Sequence, residues 1–130
     1  MRKTKKPVPV LVALNKSLIS RTKKLFGIFK ASAESGAIEL KIMDEGRDLT
    51  PDYVDREINN GIRGFIIGAN CVDAAVRHIL KRKMPLVTIS RPYDAGRNSV
   101  AIYTDNKAIA KEAARMLMSA RTFNSYAYYP

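Results

Sequence analysis

Arg91 and Asp105 are the residues of this chain whose types and placement most invite chemistry, because each follows a short apolar run, LVTI in one case and VAIYT in the other. A guanidinium offers a planar fork of donors and a carboxylate two acceptor oxygens, a pairing that complements adjacent hydroxyls on a small molecule. Ser90 directly precedes Arg91, and Asn15, Lys16 and Asn70 each stand just after an apolar run of their own. If these runs are parallel strands, all six residues gather at the carboxyl edge of one sheet, where open α/β folds bind ligands. On spacing alone two plainer roles stay open, a loop ion pair for Arg91 and a helix N-cap for Asp105.

Other chemistries lack their residues. A single cysteine, Cys71, leaves no internal disulfide; with a single histidine, His78, there is no metal set and no evident Cys/His nucleophile pair. Cys71 reads as part of a loop or first helical turn, and His78 as part of a basic helix face. The polar stretch Asn15-Lys16-Ser17 contains no glycine, which argues against a phosphate cradle of backbone amides after the first strand. A phosphoacceptor receiver would need an aspartate after the third strand and an acidic pair after the first, where this chain has Ala69-Asn70 and Asn15-Lys16. Ser20, Ser32 and Ser35 have no partner base, so no enzyme and no cofactor are expected.

The elements that must position these residues can be read from periodicity. Residues 7–14 (PVPVLVAL) form a continuous apolar run and hence a central strand. A helix follows from Leu18, with Leu18, Thr22, Leu25, Phe29 and Ser32 on one face, Phe26 and Ala33 beside them, Ser17 as N-cap and Gly36 as stop. Residues 38–43 alternate and are interrupted by Glu39 and Lys41, which suggests a strand near an edge. Thr50, Pro51 and Asp52 form a strong helix start, and Asn60 and Gly61 its end. Residues 64–69 (GFIIGA) read as a central strand. Asn70 and Asp73 then open a helix that runs to Met84.

Residues 85–89 read as a strand buried on both faces and 100–104 as a further strand. Residues 108–118 read as a helix with an alanine-rich packing side, and 125–129 (SYAYY) as a last strand-like piece. Alternation of this kind gives an α/β fold, three layers deep, with a mostly parallel doubly wound sheet of flavodoxin-like order 2-1-3-4-5.

At 130 residues and 46% hydrophobic content the chain is long enough for one domain that buries about two thirds of its unfolded surface. Its net charge of +11 is concentrated in an N-terminal arm, residues 1–6, and in Lys16, Arg21, Lys23, Lys24 and Lys30. Such charge leaves polyanion contact open, beside the plainer reading of a solvated arm and helix face. The absence of a helix-turn-helix pair, zinc pattern or RNA-binding aromatic motif makes any DNA binding by this chain alone weak and salt-sensitive. No apolar run approaches the roughly 20 residues that span a bilayer, and the N-terminus lacks an apolar export core, so the chain is expected in the cytoplasm, away from membranes.

The polar loop after the first strand, GIRGFIIGA, MPLVTISRP and VAIYTDNKAIAKEAARML together resemble the N-terminal lobe of periplasmic-binding-protein-like sensors, found in ribose-type sugar-binding proteins and LacI/GalR-type transcriptional regulators. The likeness covers residues 7–120. It is closest to the AraC-type regulators of xylose operons, whose sensor begins with a short basic arm and an Asn-Lys loop, and no helix-turn-helix precedes Pro7. The resemblance implies a single lobe of a type I periplasmic-binding-protein-like fold that senses a small-molecule effector, a sugar. It implies contact with DNA only through a domain absent from this chain.

By the same resemblance Arg91 and Asp105 contact sugar hydroxyls and Asn15 stands at the mouth of the first loop, with Lys16, Asn70 and Ser90 beside them. The chain departs from that pattern at Ser90, where the family has aspartate, and at Leu18 and Ile19, where ribose-type proteins stack aromatics. Residues 121–130 are expected to begin a crossover strand toward a second lobe outside this chain. An edge left open there should favour a homodimer or domain-swapped oligomer, with 125–129 exchanged. The competing reading is a non-enzymatic oligomerisation or polyanion-binding module on the same fold.

Overall fold

Five short runs rich in β-branched residues become strands: β1 (Val8–Ala13), β2 (Ile38–Ile42), β3 (Gly64–Gly68), β4 (Leu86–Ile89) and β5 (Ser99–Ile102). Helices α1 (Leu18–Ser35), α2 (Pro51–Asn59) and α3 (Asp73–Lys81) connect the first four strands, and α4 (Asn106–Ala120) follows β5. The computed structural model describes residues 5–14, 18–44, 47–68, 71, 73–90, 98–125 and 127. Every strand pair is parallel and the order is β2-β1-β3-β4-β5, the doubly wound flavodoxin-like sheet expected from the alternation of apolar runs. Charged β2 lies at one edge, as Glu39 and Lys41 suggested, and β5 at the other.

Local chemistry sets the helix limits. Thr50 caps α2 by accepting a hydrogen bond from the Tyr53 amide at 3.2 Å, with Pro51 at the first helical position and Asp52 in the first turn. The same helix stops at Gly61, whose φ of 106° lets the Gly61 amide reach the Ile58 carbonyl and the Ile62 amide the Glu57 carbonyl. Helix α3 closes in the same way on Lys83, at φ 56°, with amide bonds from Lys83 to Leu80 and from Met84 to Ile79. It therefore ends at Lys81 rather than at Met84, because Lys83 takes the left-handed position where glycine is usual.

The core lies on one face. Leu11 and Ala13 of β1, Phe65 and Ile67 of β3 and Leu86 of β4 pack with Val54 and Ile58 of α2 and Ala75, Val76 and Ile79 of α3. Register explains the grouping, since Leu11, Phe65, Leu86 and Ser99 stand side by side across four strands. Val10 and Val12 point to the opposite face and are also buried. On that face Ser32 of α1 donates to the Ile38 carbonyl at 3.0 Å.

Four expectations need correction. In β4 only Leu86 and Thr88 are buried, while Val87 and Ile89 are half-buried, because the layer over their face is incomplete. The inward stripe of α1 consists of Arg21, Lys24, Leu25, Ile28 and Ser32 and shares only Leu25 and Ser32 with the expected one: Thr22 and Ala33 are exposed, and so are Phe26 (72%) and Phe29 (48%). Apolar residues surround this helix, so periodicity alone could not select the face. Helix α4 has no buried residue, and its alanine-rich side meets no packed layer among the described residues. Of the strand expected at 125–129, Ser125 and Ala127 are not in strand, and the other three positions lie outside the described residues.

Candidate functional site

Parallel pairing of β4 and β5, with Ile89 opposite Ile102, brings the chain after each strand to one edge of the sheet. The Ser90 amide donates to the Ile102 carbonyl at 2.7 Å and holds the two ends together. Ser90 itself sits at φ 68°, in the left-handed region. A serine there costs about 1 kcal/mol or more relative to an ordinary conformation, and such residues cluster at ligand sites.

Beside Ser90 the edge opens into a crevice of about 440 Å³ lined by Ser90, Tyr103, Thr104, Asp105, Asn106 and Lys107. That volume matches one small ligand. Asp105 performs the plainer of its two expected roles, capping α4 through a hydrogen bond from the Ala108 amide to Oδ1 at 2.9 Å, and it lines the crevice as well. The Asn106 amide donates to the Thr104 carbonyl at 2.9 Å, which folds residues 104–106 tightly around the mouth. From α1, the Lys24 ammonium donates to Ser90 Oγ at 3.0 Å. The hydroxyl, with its acceptor side engaged by Lys24, keeps its own proton for a ligand oxygen. This edge combines hydroxyls, an amide, a carboxylate and an exposed aromatic ring, the inventory for gripping a hydroxylated molecule.

Ser90 and Asp105 are thus brought together, while Asn15, Lys16, Asn70 and Arg91 lie outside the described residues. Lys24, Tyr103 and Lys107 were not foreseen. A usable signal existed for Lys24: α1 follows β1 in a parallel sheet, so its first turns lie near the carboxyl edge. The apolar run places Tyr103 and Thr104 in the strand, but β5 ends at Ile102 and releases both to the crevice.

The remaining ionisable contacts tie elements together. His78 Nε2 donates to Asp55 Oδ1 at 2.8 Å and Arg82 approaches the same carboxylate at 3.5 Å, linking α3 to α2. The hydrogen bond from His78 holds the Asp55 carboxyl below the usual aspartate range. On β2, Lys41 meets the buried Glu57 of α2 at 2.6 Å, and that hydrogen bond raises the Lys41 pKa. Cys71 Sγ lies 3.7 Å from the Ala13 carbonyl and packs against the core. Among the described residues no three His, Cys, Asp or Glu side chains come together as a metal-ligand set, and no helix is long and apolar enough to cross a membrane.

No family model, curated protein or solved structure matches this chain.

Proposed function

We propose that this chain is the effector-sensing lobe of a transcriptional regulator, non-enzymatic, with a sugar or similar polyol held at the carboxyl edge of the sheet and DNA contacted through a domain outside this chain. The observation that carries the reading is the crevice in which Ser90 and Asp105 meet at the ends of two adjacent parallel strands. The strand order and the resemblance of residues 7–120 to sugar-sensor lobes support it further. Calorimetric titration with neutral pentoses and hexoses tests it. The expected result is saturable binding of at least one of them, lost in Ser90→Ala; flat titrations across the panel would refute it.

A second reading, self-association, is favoured by one observation. Ile109, Met116, Leu117 and Met118 of α4 are each more than half exposed on a helix with no buried residue. A helix of this length is marginal in water without packing. Light scattering over a range of concentrations separates a monomer from a dimer.

A further inference from the structure

We infer that the molecule bound in the crevice carries an oxyanion, a carboxylate or phosphate on a hydroxylated small molecule, and that Lys24 and Lys107 hold that group. The inference rests on the sensing role proposed above and adds the charge of the ligand. Among the described residues two ammonium groups, Lys24 at the wall and Lys107 in the lining, stand against one carboxylate, Asp105. That carboxylate is already engaged with the positive end of α4 through the Ala108 amide, so it offsets the ammonium groups only in part.

The partner of Lys24 is a neutral hydroxyl. By contrast, Lys41 reaches the Glu57 carboxylate and Arg82 that of Asp55, while Arg63 ends on the Ile58 and Ile62 carbonyls. Neither Lys24 nor Lys107 is ion-paired among the described residues. With 23 basic residues against 12 acidic ones, unpaired lysines are common in this chain. What distinguishes Lys24 is that it is half-buried and directs its ammonium at a hydroxyl of the crevice, 3.0 Å away.

The hydrogen-bond inventory has the same sign. Ser90 Oγ, accepting from Lys24, is left to donate, and Tyr103, Thr104 and Asn106 add further donors along the lining. An oxyanion uses several such donors at once, and charge-assisted bonds are about twice as strong as neutral ones. Lysine, a compact flexible point charge, suits either a carboxylate or a phosphate.

The test is calorimetric titration of the whole chain at low salt with ribose, gluconate, ribose 5-phosphate and inorganic phosphate. At least one of the two acids is expected to bind about tenfold or more tightly than ribose, and gluconate against ribose 5-phosphate tells which oxyanion is preferred. The preference should shrink as salt is raised toward physiological strength, where screening acts over about 8 Å. Lys107→Met and Lys24→Gln should each bring the affinity of that acid toward that of ribose; Lys107 is exposed, so its removal leaves folding intact.

Ribose binding as tightly as both acids would overturn the charge assignment and leave the sensing role standing. Inorganic phosphate binding as tightly as ribose 5-phosphate would also overturn it, marking a bare anion site. Silence from all four probes would overturn the assignment and the sensing role together.

Discussion

Leu11, Phe65 and Leu86 stand in register across one face of the sheet at 0%, 1% and 2% exposure, whereas on the other face Val87 is half-buried and its neighbour Val100 is 59% exposed. Both rows are apolar. What differs is the helical layer above them. Helices α2 and α3 each bury apolar side chains in the shared core, while α1 offers one half-buried stripe and α4 buries nothing. Stability is therefore concentrated beneath α2 and α3. On the opposite face Val10 and Val12 of β1 are buried, but the part formed by β4 and β5 and the carboxyl edge are left accessible, and the crevice opens at that edge beside β5 and the start of α4.

Substitutions that remove similar groups from the two faces should break or sharpen this contrast. Phe65→Ala empties the sealed side and should cost about 3–5 kcal/mol in urea unfolding. Val100→Ala, on the open face, should stay within about 0.5 kcal/mol. Comparable losses at the two positions would show that the open face is covered in solution, with a second copy as the simplest cover, and light scattering would then report a dimer.

The Lys41–Glu57 pair is next in size. Lys41→Met leaves the Glu57 carboxylate, 3% exposed, without its partner and should cost about 1–3 kcal/mol. Because the Lys41 pKa is raised, this contribution is fully present below the unfolded lysine value and is lost as pH rises through the folded one. A urea series from neutral to strongly alkaline pH checks the sign.

Ser90→Gly should act in the opposite direction, raising stability by roughly 1 kcal/mol as the left-handed φ ceases to be strained. Ligand binding should fall at the same time. A loss of both stability and binding would mark Ser90 as part of the scaffold alone.

The smallest effect belongs to the clamp between α2 and α3. The Asp55 pKa is depressed, so its contribution is present above the unfolded aspartate value and lost as pH falls through the folded one. Asp55→Asn should flatten the acid limb of a stability-pH profile while changing neutral stability little, because the pair is partly exposed.

The sheet was legible because its strands are short continuous apolar runs with strong punctuation. Thr50-Pro51-Asp52 and Gly61 bound α2 as their chemistry demands, and Glu39 and Lys41 placed β2 at an edge. What was not legible depended on tertiary context. Phe26 and Phe29 match the helical period as well as Leu25 and Ile28 do, so only the packed chain decides which pair faces inward. The apolar side of α4 looks like a packing surface in sequence, and whether a layer meets it is a property of the whole molecule.

At the site, Asp105 was visible by its place after a strand, though spacing could not separate cap from ligand contact, and it lines the crevice while capping α4. Lys24 was hidden because a lysine on a helix is read as solvated until the helix is placed against the sheet edge.

The central claim, that the carboxyl edge between β4 and β5 receives a small hydroxylated ligand, is tested most directly by amide NMR of the nitrogen-15-labelled chain titrated with ribose and ribose 5-phosphate. The account predicts shift changes concentrated at Ser90 and residues 103–107, with the amides of α2 and α3 unmoved. Saturable changes centred on α2 and α3, or a titration in which Ser90 and residues 103–107 stay silent with both probes, would contradict it.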